Sequence, residues 1–369
     1  MIGVLTTSYP RSPDDGAGGF VRERVRTLLA EGHTVEILAA GARDGVSRDD
    51  AWVTRIEAGG LFYEGGAPES LESADLLPRW LAMAQGARFS LTMLRHLTER
   101  SRRWDAVESH WLVPCGLLAC AALPHLHHRA HVHGGDLHLL ARLPWGDSVG
   151  RAICRHKPTL VFASVSLRDR LCALMGSSAE ALGAAHRIEP APFDARVFYH
   201  RSDDERMHLR LGLGTRAPTV LAAGRLVPIK GFDVLVAALA KIPPASRPAL
   251  VIAGEGPERN RLAELARTMG VRLQLAGLLG QHALAERMAA ADLFVHPCRT
   301  LANGRSEGMP LVVREALACG LPVIASSSGG LGELLGTQGL TLVDPGEADA
   351  LAHAVEQALP TAKHGAGRA

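Results

Sequence analysis

The sequence predicts an α/β protein built from two doubly wound parallel-sheet domains. Three observations carry that prediction. The chain has 369 residues, more than one hydrophobic core ordinarily serves. Short apolar runs alternate with stretches of helical spacing along most of its length, the pattern of repeated βα units. Hydrophobic residues make up 47% of the chain and aromatics only 4%, with Ala and Leu prominent, which favours helices covering buried parallel strands over an all-β sandwich.

The first domain is placed at residues 1–195. It opens with an apolar strand at 2–7 and a loop rich in Pro, Asp and Gly at 8–19. Val21, Val25, Leu28 and Leu29 then give helical spacing that Gly32 ends, and a strand returns at 34–40. A short strand near 53–56 is expected in an otherwise loop-rich stretch from 41 to 75. Further strands are expected at 106–109, 130–133 and 160–163, with helices around 79–102, 114–122 and 166–175. The Pro-containing stretch 186–198, followed by the charged run RSDDERMH, marks the junction. The pattern then restarts in a second domain, 196–345. Its strands, at 219–223, 249–253, 272–275, 293–296 and 322–325, alternate with helices near 231–242, 257–269, 281–290, 310–319 and 330–335. Residues 346–369 are a last helix, about 347–359, and a tail expected to be disordered. Two such sheets facing each other across a cleft would bind their ligand beyond the carboxyl ends of the strands.

Composition excludes several functions. A formal net charge of +2 is too near neutral for a nucleic-acid binder. Six cysteines, at 115, 120, 154, 172, 298 and 319, form no CxxC pair and lie mostly in apolar runs, the pattern of buried thiols in a reducing cytoplasm. The chain begins with a strand, without the basic and apolar regions of a signal peptide. Its longest apolar run, residues 111–124, is short for a bilayer span and contains two prolines.

Two segments of the second domain carry chemistry. In SEGMPLVVREALACG, Glu307 and Glu315 flank Gly-Met-Pro. Pro310 suits the first turn of a helix ending at Gly320, so Glu307 lies in the preceding loop and Glu315 inside the helix. The amides of residues 308–311 then present unpaired donors and the positive end of the helix dipole, a ready anion site. In GRLVPIKG, Arg225 and Lys230 follow the first strand of the same sheet and are expected to face solvent there as two fixed positive charges. Together the segments predict a diphosphate site. A dinucleotide enzyme fits less well: Gly16, Gly18 and Gly19 follow the first strand, but DDGAGG does not match GxGxxG and the second strand ends without an acid for a ribose. No Walker loop is present.

GRLVPIKGFDVLVAAL, VIAGEGPE and SEGMPLVVREALACGLPVIASSSGGLGEL, with DGAGGFVRERVRTLLAEGHTVEIL and HVHGGD in the first half, resemble glycosyltransferase family 4, retaining nucleotide-sugar glycosyltransferases of GT-B architecture. The resemblance covers nearly the whole chain and is strongest from 219 to 335. It implies hexosyl-type transfer from a nucleotide-diphosphate donor, UDP- or GDP-sugar, without a metal or other cofactor. Arg225 and Lys230 match the cations that stabilise the leaving group, and the backbone at Gly308, Met309 and Leu311, with Pro310 starting the helix, adds to this. Glu307 matches the glutamate that holds donor-sugar hydroxyls, and Glu315 the one that accepts from the ribose. His133 matches a histidine near the reacting carbon. Gly18 and Gly19 match a loop approaching the diphosphate or acceptor closely for want of side chains. Six histidines crowd residues 125–138, but the spacing matches no standard zinc motif, and strand-end histidines are the plainer reading. Asp136 reads as a helix cap. Two departures stand out: Pro190-Ala-Pro-Phe-Asp194 has proline where relatives commonly have glycine, and the C-terminal segment is short for the usual helix returning to the first domain.

The resemblance implies an acceptor that is a glycan, a lipid-linked molecule or a small molecule. Residues 88–104 carry Leu91, Leu94 and Leu97 among five arginines. Such a stretch is either an interfacial helix giving peripheral contact with the inner face of a membrane, or a surface helix packing its leucines on the sheet. Two rival functions share the architecture: a nucleotide-sugar 2-epimerase, and a non-catalytic nucleotide-sugar-binding partner of another transferase. The sequence assigns no oligomeric state.

Overall fold

The computed structural model describes residues 1–12, 15–41, 52–57, 79–178, 182, 185–214, 217–302 and 304–359. Most of the stretch read as loops over 41–75, and the tail beyond 359, lie outside the described residues. The chain divides into two compact units, Met1–Phe193 and the residues from Asp194 onward.

The first unit runs β1 (Ile2–Thr6), α1 (Gly19–Ala30), β2 (Val35–Ala40), β3 (Trp52–Ile56), α2 (Arg79–Arg100), β4 (Ala106–His110), α3 (Leu117–Ala122), β5 (His127–Val132), α4 (Gly134–Arg142), α5 (Gly146–Arg155), β6 (Thr159–Phe162), α6 (Val165–Met175) and β7 (His186–Ile188). Its sheet is parallel throughout, in the order β3-β2-β1-β4-β5-β6-β7. Helices cover both faces. Val21, Val25 and Leu28 of α1 pack with Val4, Val35 and Ile37 on one side, while Phe89, Met93 and Leu97 of α2 pack with Leu5, Leu38 and Val107 on the other. The apolar row of α2 is therefore spent on the sheet, and of Leu91, Leu94 and Leu97 only Leu91 is left exposed, at 64%. No helix among the described residues is long and apolar enough to cross a membrane.

The second unit runs α7 (Asp203–Gly212), β8 (Thr219–Ala223), α8 (Phe232–Lys241), β9 (Ala249–Ala253), α9 (Arg259–Thr268), β10 (Leu273–Gly277), α10 (Gln281–Ala290), β11 (Leu293–His296), α11 (Leu311–Ala318), β12 (Val323–Ser326), β13 (Leu340–Val343) and α12 (Ala348–Ala358). Its parallel strands follow the order β10-β9-β8-β11-β12-β13. The order reverses between β8 and β11, and the carboxyl ends of the strands at such a reversal are where sheets of this kind bind ligands. Leu351, Ala352 and Val355 of α12 join Leu235, Val236 and Leu239 of α8 in the core, so the last helix belongs to this unit.

Five elements go beyond the sequence expectation: α4, α5, β7, α7 and β13. The run that reads as a charged junction is α7, started by a capping box in which Ser202 N donates to Glu205 Oε2 at 2.9 Å and Glu205 N to Ser202 Oγ at 3.4 Å. The helix expected at 330–335 is instead a 3-10 turn, Gly329–Leu334. Its run of glycines favours a tight turn over a helix.

Candidate functional site

After β8 the chain passes through Gly224–Gly231, where Pro228–Lys230 forms a 3-10 turn that ends at Gly231 with φ +65°. A Cβ at Gly231 would lie 2.1 Å from the carbonyl oxygen of Pro297, the residue following β11. Glycine here lets the two loops lie against one another. As a result Lys230 Nζ meets the Glu307 carboxylate at 2.9 Å, with the side chains only 15% and 16% exposed. The expectation that Lys230 faces solvent is thus corrected: it is a largely enclosed ion pair, made because the two loops converge. Arg225 is half-buried on the same loop.

Burial pushes the Glu307 carboxyl upward, but the Lys230 ammonium, with a smaller pull from Arg305, outweighs it and holds the group below the usual carboxylate range. Glu307 is therefore an anion at neutral pH. His296, the last residue of β11, is fully buried. Burial, with Lys230 adding to it, lowers the ring to about 3, so it stays neutral, and neither ring nitrogen has a hydrogen-bond partner among the described residues.

Pro310 is extended, φ −68° and ψ 119°, and caps α11, which begins at Leu311. Among the described residues no acceptor is found for the amides of Gly308, Met309 and Leu311, so the helix tip offers the unpaired donors expected of it. Glu315, in the second turn, is 6% exposed, and no described residue hydrogen-bonds its carboxyl. Burial raises it to about 7, against a weaker pull from Arg314. A carboxylate enclosed without donors is costly, and hydroxyls of a bound ligand would relieve the cost.

The loop after β12 supports this arrangement, a part that sequence reasoning missed. Gly329 has φ +59°, and a Cβ there would lie 1.7 Å from the Glu307 carbonyl oxygen; Gly330 N donates to Gly308 O at 2.7 Å. Gly329→Ala is expected to lose at least about 1–2 kcal/mol from the left-handed backbone alone, and to weaken nucleotide binding by shifting Glu307. Thermal melts and nucleotide titration of one preparation check this. Unchanged values in both would mean that the loop does not set the position of Glu307.

In the first unit, Gly18 caps α1 at φ +69°, and a Cβ there would lie 2.4 Å from Ser8 O. Glycine at that position is thus required by the protein's own backbone, and buried Gly19 begins the helix. His133 follows β5 and caps α4. Its backbone N donates to Asp136 Oδ1 at 3.1 Å, while Leu112 N and Leu137 N donate to the same carboxyl at 2.8 and 2.9 Å. Asp136, the third residue of α4, thus closes back on the amide of the capping residue His133 and is not itself the cap; burial raises it to about 7 against those hydrogen bonds.

The rings of His131, His110 and His133 form a column. The His110 ring is within 13° of parallel to both neighbours, stacked on His131 with centroids 4.4 Å apart and edge to edge with His133 at 5.5 Å. Ligand atoms of Glu108, His110 and His131 lie within 4.8 Å of one another. Arg24, however, occupies both Glu108 oxygens at 2.9 and 2.5 Å, and His131 Nε2 holds Oε2 at 3.0 Å, so an added cation would face a guanidinium. His110, at the end of β4, escaped the sequence reading because the histidine run begins only at 125; its register opposite His131 in the sheet brings it in.

The sequence model of a family described as glycosyl transferases group 1 matches residues 203–364. A GDP-mannose-dependent alpha-(1-6)-phosphatidylinositol monomannoside mannosyltransferase of Mycolicibacterium smegmatis is 35% identical over 239 residues, 62% of this chain and 60% of the relative. The match thus spans about 60% of that relative's length. A D-inositol 3-phosphate glycosyltransferase of Jonesia denitrificans is 30% identical over 364 residues, 90% of this chain and 80% of the relative. Among solved structures, sucrose-phosphate synthase from Thermosynechococcus elongatus aligns with a TM-score of 0.74 at 22% identity, covering 96% of this chain and 88% of that one.

Proposed function

Since the chain belongs to the glycosyl transferases group 1 family, the family 4 type with GT-B architecture, we propose that it transfers a hexosyl unit from a nucleoside-diphosphate sugar to an acceptor hydroxyl, with retention and without a metal. The observation that carries this reading is the Lys230–Glu307 pair lying where the β8 and β11 loops meet, beside an open helix tip and the enclosed Glu315. Breaking the bond from the sugar's C1 to the diphosphate oxygen leaves negative charge on the nucleotide and positive character on the sugar. Lys230, Arg225 and the amides of Gly308, Met309 and Leu311 meet the first. Glu307 accepts hydroxyls of the sugar, and Glu315 accepts those of the ribose. From the first unit, His133 acts near the reacting carbon and the Gly18–Gly19 loop on the diphosphate or acceptor. The six buried cysteines form no disulfide with one another, which suits a reducing cytoplasm.

GDP-mannose is the first donor to test, because the mannosyltransferase relative is named as dependent on it; UDP-sugars are the second group. Incubating the protein with labelled nucleotide sugars, with and without EDTA, should release nucleoside diphosphate at the same rate in both. A changed sugar still attached to its nucleotide would identify an epimerase, and binding without turnover a partner protein. Loss of release on EDTA would contradict the metal-free reading.

A further inference from the structure

The histidine column holds a contact that the proposed transfer does not yet use. His110 Nδ1 lies 3.3 Å from His133 Nε2. His110 is 2% exposed, and its Nε2 has no partner among the described residues. On its other face it stacks on His131, whose Nε2 is bound to Glu108. Trp111, next in sequence, adopts φ +69°, which is unusual for a bulky residue, and its ring stands 4.9 Å from His133. Phe20 stands 4.9 Å from His133 on another side. The imidazole of His133 is thus framed by two aromatic rings and tied at one nitrogen, by a local backbone conformation at Trp111 that persists only where its surroundings impose it.

We propose that His110 is a positioning residue for His133: it fixes which ring nitrogen of His133 carries the proton and holds the ring in one orientation. The inference rests on the reading that His133 acts on the sugar. Burial keeps both rings neutral at pH 7, since it holds His110 well below its ordinary value and His133 at about 3. Two neutral imidazoles joined nitrogen to nitrogen hold one proton between them, so the tautomers of the two rings are coupled: one nitrogen of the contact donates and the other must accept. Without that partner His133 would sample both tautomers and more than one ring orientation. His131, His133, Arg24 and the Glu108 carboxylate face His110; the first three add to its burial in disfavouring a positive charge, and the Glu108 oxygens are already held by Arg24 and His131, so the pair stays neutral across the working range.

His110→Phe keeps a flat ring and removes the nitrogen. It is expected to lower kcat about tenfold, the size of one lost hydrogen bond, with donor KM unchanged. His133→Ala should lower kcat further, and the double variant should be no slower than His133→Ala alone, because His110 acts only through His133. Equal, multiplied losses in the double variant would mean a general packing role and overturn the inference. Full activity in His110→Phe beside an impaired His133→Ala would overturn it too, while leaving the transferase reading intact. Full activity in His133→Ala would instead remove the reading on which it rests. If His110→Phe does not fold, nitrogen NMR of the wild type decides: one fixed tautomer at each of the two rings supports the proposal, and averaged signals at His133 contradict it.

Discussion

Glu315→Gln is expected to make the ligand-free protein more stable above pH 7 and worse at binding its donor. In the native chain the Glu315 carboxyl sits at about 7, against an ordinary 4.5, because burial disfavours its charge. Between those values the unfolded chain gives up a proton that the folded one keeps, so stability falls as pH rises from about 4.5 to about 7 and stays reduced above. A shift of that size corresponds to about 3 kcal/mol. Glutamine removes the dependence, so urea melts of the two proteins should agree near pH 4 and separate progressively to pH 8, with the variant higher. Nucleotide affinity should move the other way, falling about 10- to 100-fold with loss of the anionic acceptor for the ribose. In the native chain binding should tighten as pH rises toward 7, because the hydroxyls bind the charged form. Titrations in buffers of different ionisation heat would register the released proton. Parallel melts across pH, or unchanged affinity, would remove the assigned role of Glu315.

Lys230→Ala should damage both turnover and stability. The loss of a cation at the leaving group is expected to lower turnover by at least about 100-fold. It also leaves Glu307 enclosed without the partner that keeps it ionised, a loss of about 1–3 kcal/mol for a pair that retains some exposure. The folded-state pKa of Glu307 is depressed, so the pair's contribution is present above about 4.5 and lost as pH falls through the folded value. The stability gap between native and variant should therefore be widest at neutral pH and close in acid. Adding Glu307→Gln to Lys230→Ala should recover stability without recovering turnover. Recovery of both, or a gap independent of pH, would contradict the ion pair as the link between the two loops.

The alternation of buried strands and amphipathic helices was legible because parallel strands buried on both faces read as continuous apolar runs, and β8, β9 and β11 appear where that pattern puts them. The polar α7 was not, since its content of Asp, Glu and Arg looks like a linker unless the Ser202–Glu205 cap is weighed. The two glutamates, the basic loop and the helix tip could be named from sequence, because each is a local motif with its own chemistry. Their pairing could not. That Lys230 is enclosed with Glu307 depends on Gly231 resting against Pro297, and the support from Gly329 depends on a backbone approach between distant segments. His110 joins His133 only through the β4–β5 register and a turn at Trp111 that no local pattern announces.

The most direct test is a crystal structure of the protein with a bound nucleoside diphosphate. The account predicts the terminal phosphate within hydrogen-bond distance of Lys230 and of the amides at the start of α11, the Lys230–Glu307 contact loosened, and both ribose hydroxyls on the Glu315 carboxylate. A diphosphate seated elsewhere, with Lys230 still closed on Glu307 and Glu315 unengaged, would contradict it.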